Sequence, residues 1–143
     1  MSATYETDFY GWTQQQAMLL KNGQFNLADL MNIIEEIESM GRSEKRELQS
    51  RLTVLLQHLL KWKFQPSRQS KSWQLSIVEQ RIQFIEVLNE NPSLKSYLPA
   101  ILIDAYRLAV VKAAKETGHS IKDFPSECPW NWEEIRNSDF YPE

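Results

Sequence analysis

The stretch "LADLMNIIEEIESMGRSEKRELQSRLTVLLQHLLKWKFQP", residues 27–66, decides the fold. Its first part carries Leu27, Leu30, Met31, Ile33, Ile34, Ile37 and Met40 at helical spacing. Its second part carries Leu48, Leu52, Leu55, Leu56 and Leu59 at the same period. Residues that recur every three or four positions share one face of a helix, so both parts read as amphipathic helices. Between them stands Gly41, a residue suited to ending a helix. The reading therefore predicts two helices, over about 27–40 and 44–64. Asn26 would cap the first, with Asp29 at a favourable first-turn position. Pro66 would end the second.

Working outward, a helix is predicted over about 8–21, with Thr7 as its cap and Gly23 just beyond its end. Another follows over about 71–90, capped by Ser70 and broken at "NENP". The next covers about 93–117 and stops at Gly118. Pro99 either kinks it or opens a second piece as a first-turn residue. Residues 118–143 change character, with three prolines and several large aromatics after Ile121. They read as an extended strap with one short helix near 132–136, its aromatics packed on the rest. Alternating strand patterns are absent. The fold class is all-α: one bundle of about five helices with a C-terminal strap, spanning 1–143 as a single domain.

With 143 residues, 42% of them hydrophobic, the chain can bury a real core. A net charge of −3 gives no global electrostatic case for nucleic acid or an anionic membrane. One cysteine, Cys128, forms no disulfide framework and no Cys-rich zinc module. No apolar run approaches the ~20 residues of a membrane span. The N-terminal residues lack the pattern of a signal peptide. A cytoplasmic protein without membrane association is expected.

Helical wheels separate solvated from inward charge. Over 27–40, Asp29 and Glu36 project opposite the apolar stripe, into water, whereas Glu35 lies beside the stripe and Glu38 within it. Over 71–90, Arg81 sits in the middle of the apolar face. Over 93–117, Glu116 projects onto the apolar side, and over 44–64 His58 lies on its flank. An unpaired buried charge is too costly to keep, so Arg81 calls for an anionic partner, with Glu38 and Glu116 the chemical candidates. The set Glu35, Glu38, His58, Arg81 and Glu116 is either a buried ion-pair network that fixes register or a carboxylate-lined pocket.

Glu35 and Glu38 form an "ExxE" pair one turn apart, half of a Mg²⁺-binding arrangement. The matching second acidic pair is missing. Lys61, Lys63, Arg68 and Lys71 form a basic patch interleaved with Trp62, Phe64 and Trp73. Helix dipole, breaker, loop and cap account for it as a solvated helix–loop–helix corner. Nucleic acid is the alternative use.

Segments across the whole chain carry a resemblance. They are "YETDFYGWTQQQAMLL", the stretch from Asp29 to Pro66, "SKSWQLSIVEQR", "NPSLKSYLP", "ETGH", "CPWNWEEI" and "DFYP". In that order the chain resembles the bacterial family of domain of unknown function 29, abundant in cyanobacteria. The resemblance implies an all-α fold. The family's recurrent motifs fall here on Glu35, Glu36, Glu38, His58, Lys61, Trp62, Ser72, Trp73, Arg81 and Glu116.

Three functions stay open. The first is a non-catalytic interaction or regulatory protein with a protein partner and no cofactor. The second is a metal-dependent hydrolase of a phosphorylated small molecule, using Mg²⁺ on Glu35 and Glu38. The third is nucleic-acid binding through the 61–71 patch.

Overall fold

A computed structural model describes residues 4–143 of the chain. Among the described residues there are five α-helices and no strand, so the protein is all-α. The helices are α1 (Phe9–Lys21), α2 (Leu30–Phe64), α3 (Lys71–Glu90), α4 (Leu98–Thr117) and α5 (Trp132–Arg136). The chain divides into two compact units, Met1–Ser43 and Glu44–Glu143.

The main correction concerns Gly41. The helices predicted over 27–40 and 44–64 are one helix, α2, of 35 residues. Among the described residues only Gly23 and Gly118 adopt positive φ, at 72° and 79°. Gly41 stays helical. A glycine in a helix costs only about 1 kcal/mol relative to alanine. The good helix formers on both sides, and Arg42 bonded at 2.8 Å to Glu35 two turns back, offset it. Asn26 lies in a 3₁₀ turn (Phe25–Leu27), and Asp29 caps α2 by accepting from the Asn32 amide at 3.4 Å.

Other boundaries follow the predicted pattern. Asp8 rather than Thr7 caps α1, accepting from the Gly11 amide at 3.0 Å. Ser70 caps α3 through the Trp73 amide at 3.2 Å. Before α4 the chain forms a 3₁₀ segment (Pro92–Tyr97), and Pro99 stands in the first turn of α4. That is the second-piece alternative, where a missing N–H costs nothing. The short helix of the strap is α5, closed by a reciprocal capping box between Asn131 and Glu134.

In the N-terminal unit, the polar side of α2 meets α1. Trp12 Nε1 donates to Asp29 Oδ2 at 3.0 Å, and Gln16 accepts from the Asp29 amide at 2.7 Å. Tyr5 donates to Glu36. Asp29 and Glu36, expected in open water, are thus the residues that hold this unit together. The apolar stripe expected in a core is the side left exposed.

In the C-terminal unit, α2 is buried or half-buried at every position between Leu52 and Lys61. Leu48, Leu52, Leu55, Leu56, Leu59 and Leu60 have no exposure. Ile77 and Phe84 of α3, Ile101, Ala105 and Ala109 of α4, and Phe124, Trp130 and Ile135 of the strap complete the core. The strap aromatics pack as expected: Trp132 sits edge-on to Phe84 at 5.1 Å, and Tyr141 meets Trp62 at 5.1 Å.

Candidate functional site

Polar side chains converge in the C-terminal unit where α2 and α4 meet. Lys61 lies in the last turn of α2 and is 8% exposed. Its ammonium is 2.6 Å from Glu116 Oε2 of α4 and 4.8 Å from the centre of the Trp73 ring. Gln57, one turn before Lys61, donates to the other Glu116 oxygen at 2.7 Å. One carboxylate therefore takes two donors from α2, while half of its own side chain stays in solvent.

His58 borders this group. Burial pushes its imidazole below the ordinary range, the Lys61 charge pushes the same way, and Glu116 and Glu79 oppose both. Its Nδ1 is buried without a hydrogen-bond partner among the described residues. The neutral ring keeps unspent hydrogen-bonding capacity beside a charged Lys–Glu pair.

Arg81 is 2% exposed, so the inward projection read from periodicity is correct. Its partner is not a carboxylate. Nε donates to the Ile135 carbonyl at 2.9 Å, Nη1 to Ser138 at 3.3 Å and Nη2 to Phe140 at 2.9 Å. The guanidinium also lies 5.9 Å from the centre of the Tyr141 ring. A fork of five N–H groups matches strap carbonyls that no helix or sheet would satisfy. The sequence argument required an anion because it counted charge alone, whereas a planar cation can be satisfied by several carbonyl dipoles. Burial pushes the Arg81 pKa down from its usual value, opposed by the acidic groups of Tyr141 and Asp139.

The five residues expected to act together therefore divide. His58 and Glu116 share the α2–α4 cluster, and Arg81 is spent on the strap. Glu35 and Glu38 lie in the N-terminal unit, more than half exposed, and Arg42 approaches them at 2.8 and 4.0 Å. Among the described residues no three His, Cys, Asp or Glu side chains converge on a common point suited to a metal ion. Nor does Glu38 pair with Arg81 or His58. Glu47, farther back on α2, bonds Arg51 one turn on at 2.8 Å.

The basic patch changes too. Lys61 is withdrawn into the core unit. Lys63 stays half-buried with its ammonium 5.8 Å from the Phe64 ring centre, while Arg68 and Lys71 are exposed. Sequence reasoning missed Gln57, and placed Lys61 in a solvated patch, because it assumed a one-sided helix. The signal was present in "LTVLLQHLLKW", where Thr53, Gln57 and Lys61 recur every four residues and so share one side of the helix.

No described helix is long and apolar enough to cross a membrane. Comparison with curated proteins and with solved structures found no match. The sequence pattern of one family, described as "Domain of unknown function DUF29", matches residues 4–141. With nearly its whole length inside that match, the chain belongs to the DUF29 family.

Proposed function

We propose that this protein is a non-catalytic interaction protein whose N-terminal unit docks an amphipathic helix of a protein partner, one with an apolar stripe flanked by basic residues. The observation that supports this reading is the inverted amphipathicity of α2 before Gly41. Asp29 bonds Trp12 and Gln16 of α1 and Glu36 accepts from Tyr5, whereas Leu27, Leu30, Met31, Ile34, Ile37 and Met40 are 48–85% exposed. A large aliphatic side chain carries on the order of 100 Å² of apolar surface. At these exposures the six together leave roughly 400 Å² of apolar surface on one face, the size of the largest and often functional patch of a monomer. Glu35 and Glu38, beside the stripe and more than half exposed, share Arg42, so two acids against one base leave the rim net negative, which favours a cationic partner.

The test uses helical peptides with an apolar stripe and either Lys/Arg or Glu flanks, read by fluorescence anisotropy. The basic-flanked peptide should bind saturably, more weakly as salt rises, and Ile34→Asp with Ile37→Asp should abolish binding without unfolding the chain. No binding by either peptide, with the protein monomeric up to high concentration in sedimentation, overturns the reading. Concentration-dependent self-association that the same double variant removes would assign the face to a second copy instead.

A further inference from the structure

A second surface lies in the C-terminal unit and uses none of the residues of the α2–α4 cluster. Between α4 and the start of the strap runs a groove of about 600 Å³. Its floor and walls include Ile103, Val111 and Ile121, respectively 64%, 44% and 56% exposed, with Phe124 buried beneath. Two cations, Arg107 from α4 and Lys122 from the strap, also line it. Neither takes part in an ion pair among the described residues.

No acid lines the groove. Asp123, the carboxylate next in sequence to Lys122, is turned to the Ser120 amide at 2.9 Å and to His119 at 3.5 Å. Tyr106 offers no competing charge either. Its hydroxyl donates to the Pro125 carbonyl at 2.7 Å, and burial pushes its pKa up to about 12. An apolar trough whose only charges are two unpaired cations is complementary to a molecule with an apolar body and an anionic head. The exposed lining is aliphatic, and the aromatic rings of Tyr106 and Phe124 are buried, so little flat surface remains for stacking a base or an aromatic acid.

We propose that this groove binds a free single-chain alkyl carboxylate, its chain along Ile103, Val111 and Ile121 and its carboxylate between Arg107 and Lys122. The volume falls within the ~300–1,000 Å³ range of small-molecule sites. The site is open along one side, so part of the chain stays in contact with water. Recognition needs no change of the Tyr106 bond, because the strap carbonyl already holds it.

The experiment is calorimetric titration of the full chain with octanoate and decanoate below their micellar concentrations, with decanol and decyltrimethylammonium as controls. Decanoate should bind one to one. Each further methylene should tighten binding by up to about fourfold, the limit set by burial of one CH₂. Decanol should bind at least tenfold more weakly. Arg107→Gln with Lys122→Gln should abolish the preference for the carboxylate, and Val111→Glu should abolish binding. All three positions are exposed, and circular dichroism checks that the variants fold.

Equal affinity for decanol and decanoate would overturn the proposal, as would undiminished binding by the double variant. So would binding to anionic vesicles or to an acidic amphipathic peptide with no saturable uptake of the free carboxylate. These results are independent of the N-terminal face, whose double variant should bind decanoate normally.

Discussion

Replacing Arg81 by methionine tests the claim that one guanidinium pins the strap. Methionine keeps most of the apolar stem and removes every donor, so cavity formation contributes little. Three carbonyls lose their donor, two of them bonded at 2.9 Å and one at 3.3 Å. Bonds to a charged donor contribute about 1.5–3 kcal/mol each. The loss is less than their sum, because Ser138 is exposed and its carbonyl finds water. Ile135 is fully buried, and its carbonyl cannot be rehydrated unless the strap lifts. The expected cost is about 3–4 kcal/mol. With a slope of about 2 kcal/mol per molar urea, the denaturation midpoint should fall by about 1.5–2 M.

Hydrogen exchange supplies the second readout. In Arg81→Met, amides of residues 132–141 should exchange much faster relative to those of Leu52 and Leu56 than in the parent chain. Arg81→Lys, a point charge that cannot span three carbonyls, should fall between the two. Glu38→Gln should leave both measurements unchanged. An unmoved midpoint with unchanged strap protection would refute the reasoning. A Glu38→Gln loss equal to that of Arg81→Met would restore the carboxylate partner expected from sequence.

Three further perturbations probe the same construction. Gly41→Ala should stabilise the chain by about 0.5–1 kcal/mol, because a Cβ there meets nothing within 4 Å, while Gly118→Ala should destabilise it at φ 79°; thermal melts compare them, and equal losses would mean that α2 breaks at Gly41. Glu116→Gln should cost more than Lys61→Met, about 2 kcal/mol against 1 or less, because the nearly buried ammonium loses its counter-ion whereas the half-exposed carboxylate re-solvates; equal losses in urea titrations would contradict this. His58 titrates lower in the folded than in the unfolded chain, so its contribution to stability is complete above pH ~6.5 and is lost as pH falls through the folded value. His58→Asn should flatten that acid-side slope, and Glu116→Gln should lower the imidazole midpoint further by NMR. An upward shift would place Glu116 too far from the ring to act.

The local grammar of the chain determined much by itself. Asp8, Ser70, Asn131, Gly23, Gly118 and Pro99 act through their own backbone neighbourhood, and helix ends follow from such chemistry. The leucine period of residues 48–59 and the inward projection of Arg81 also follow from local spacing. What covers each face is a different matter. Only tertiary structure decided that the strap carbonyls satisfy Arg81, that α4 brings Glu116 to Lys61, and that Trp73 of α3 lies against the Lys61 ammonium. It also decided that the Leu27–Met40 stripe faces solvent while Asp29 and Glu36 bond Trp12 and Tyr5. A wheel orders side chains around an axis, but burial depends on which neighbours arrive on each side, and those neighbours come from positions as distant as Lys61 and Glu116, or Arg81 and Phe140. Gly41 shows the same limit within one helix. Its propensity alone argues for a stop, and the helix formers and ion pairs around it outweigh about 1 kcal/mol of backbone entropy.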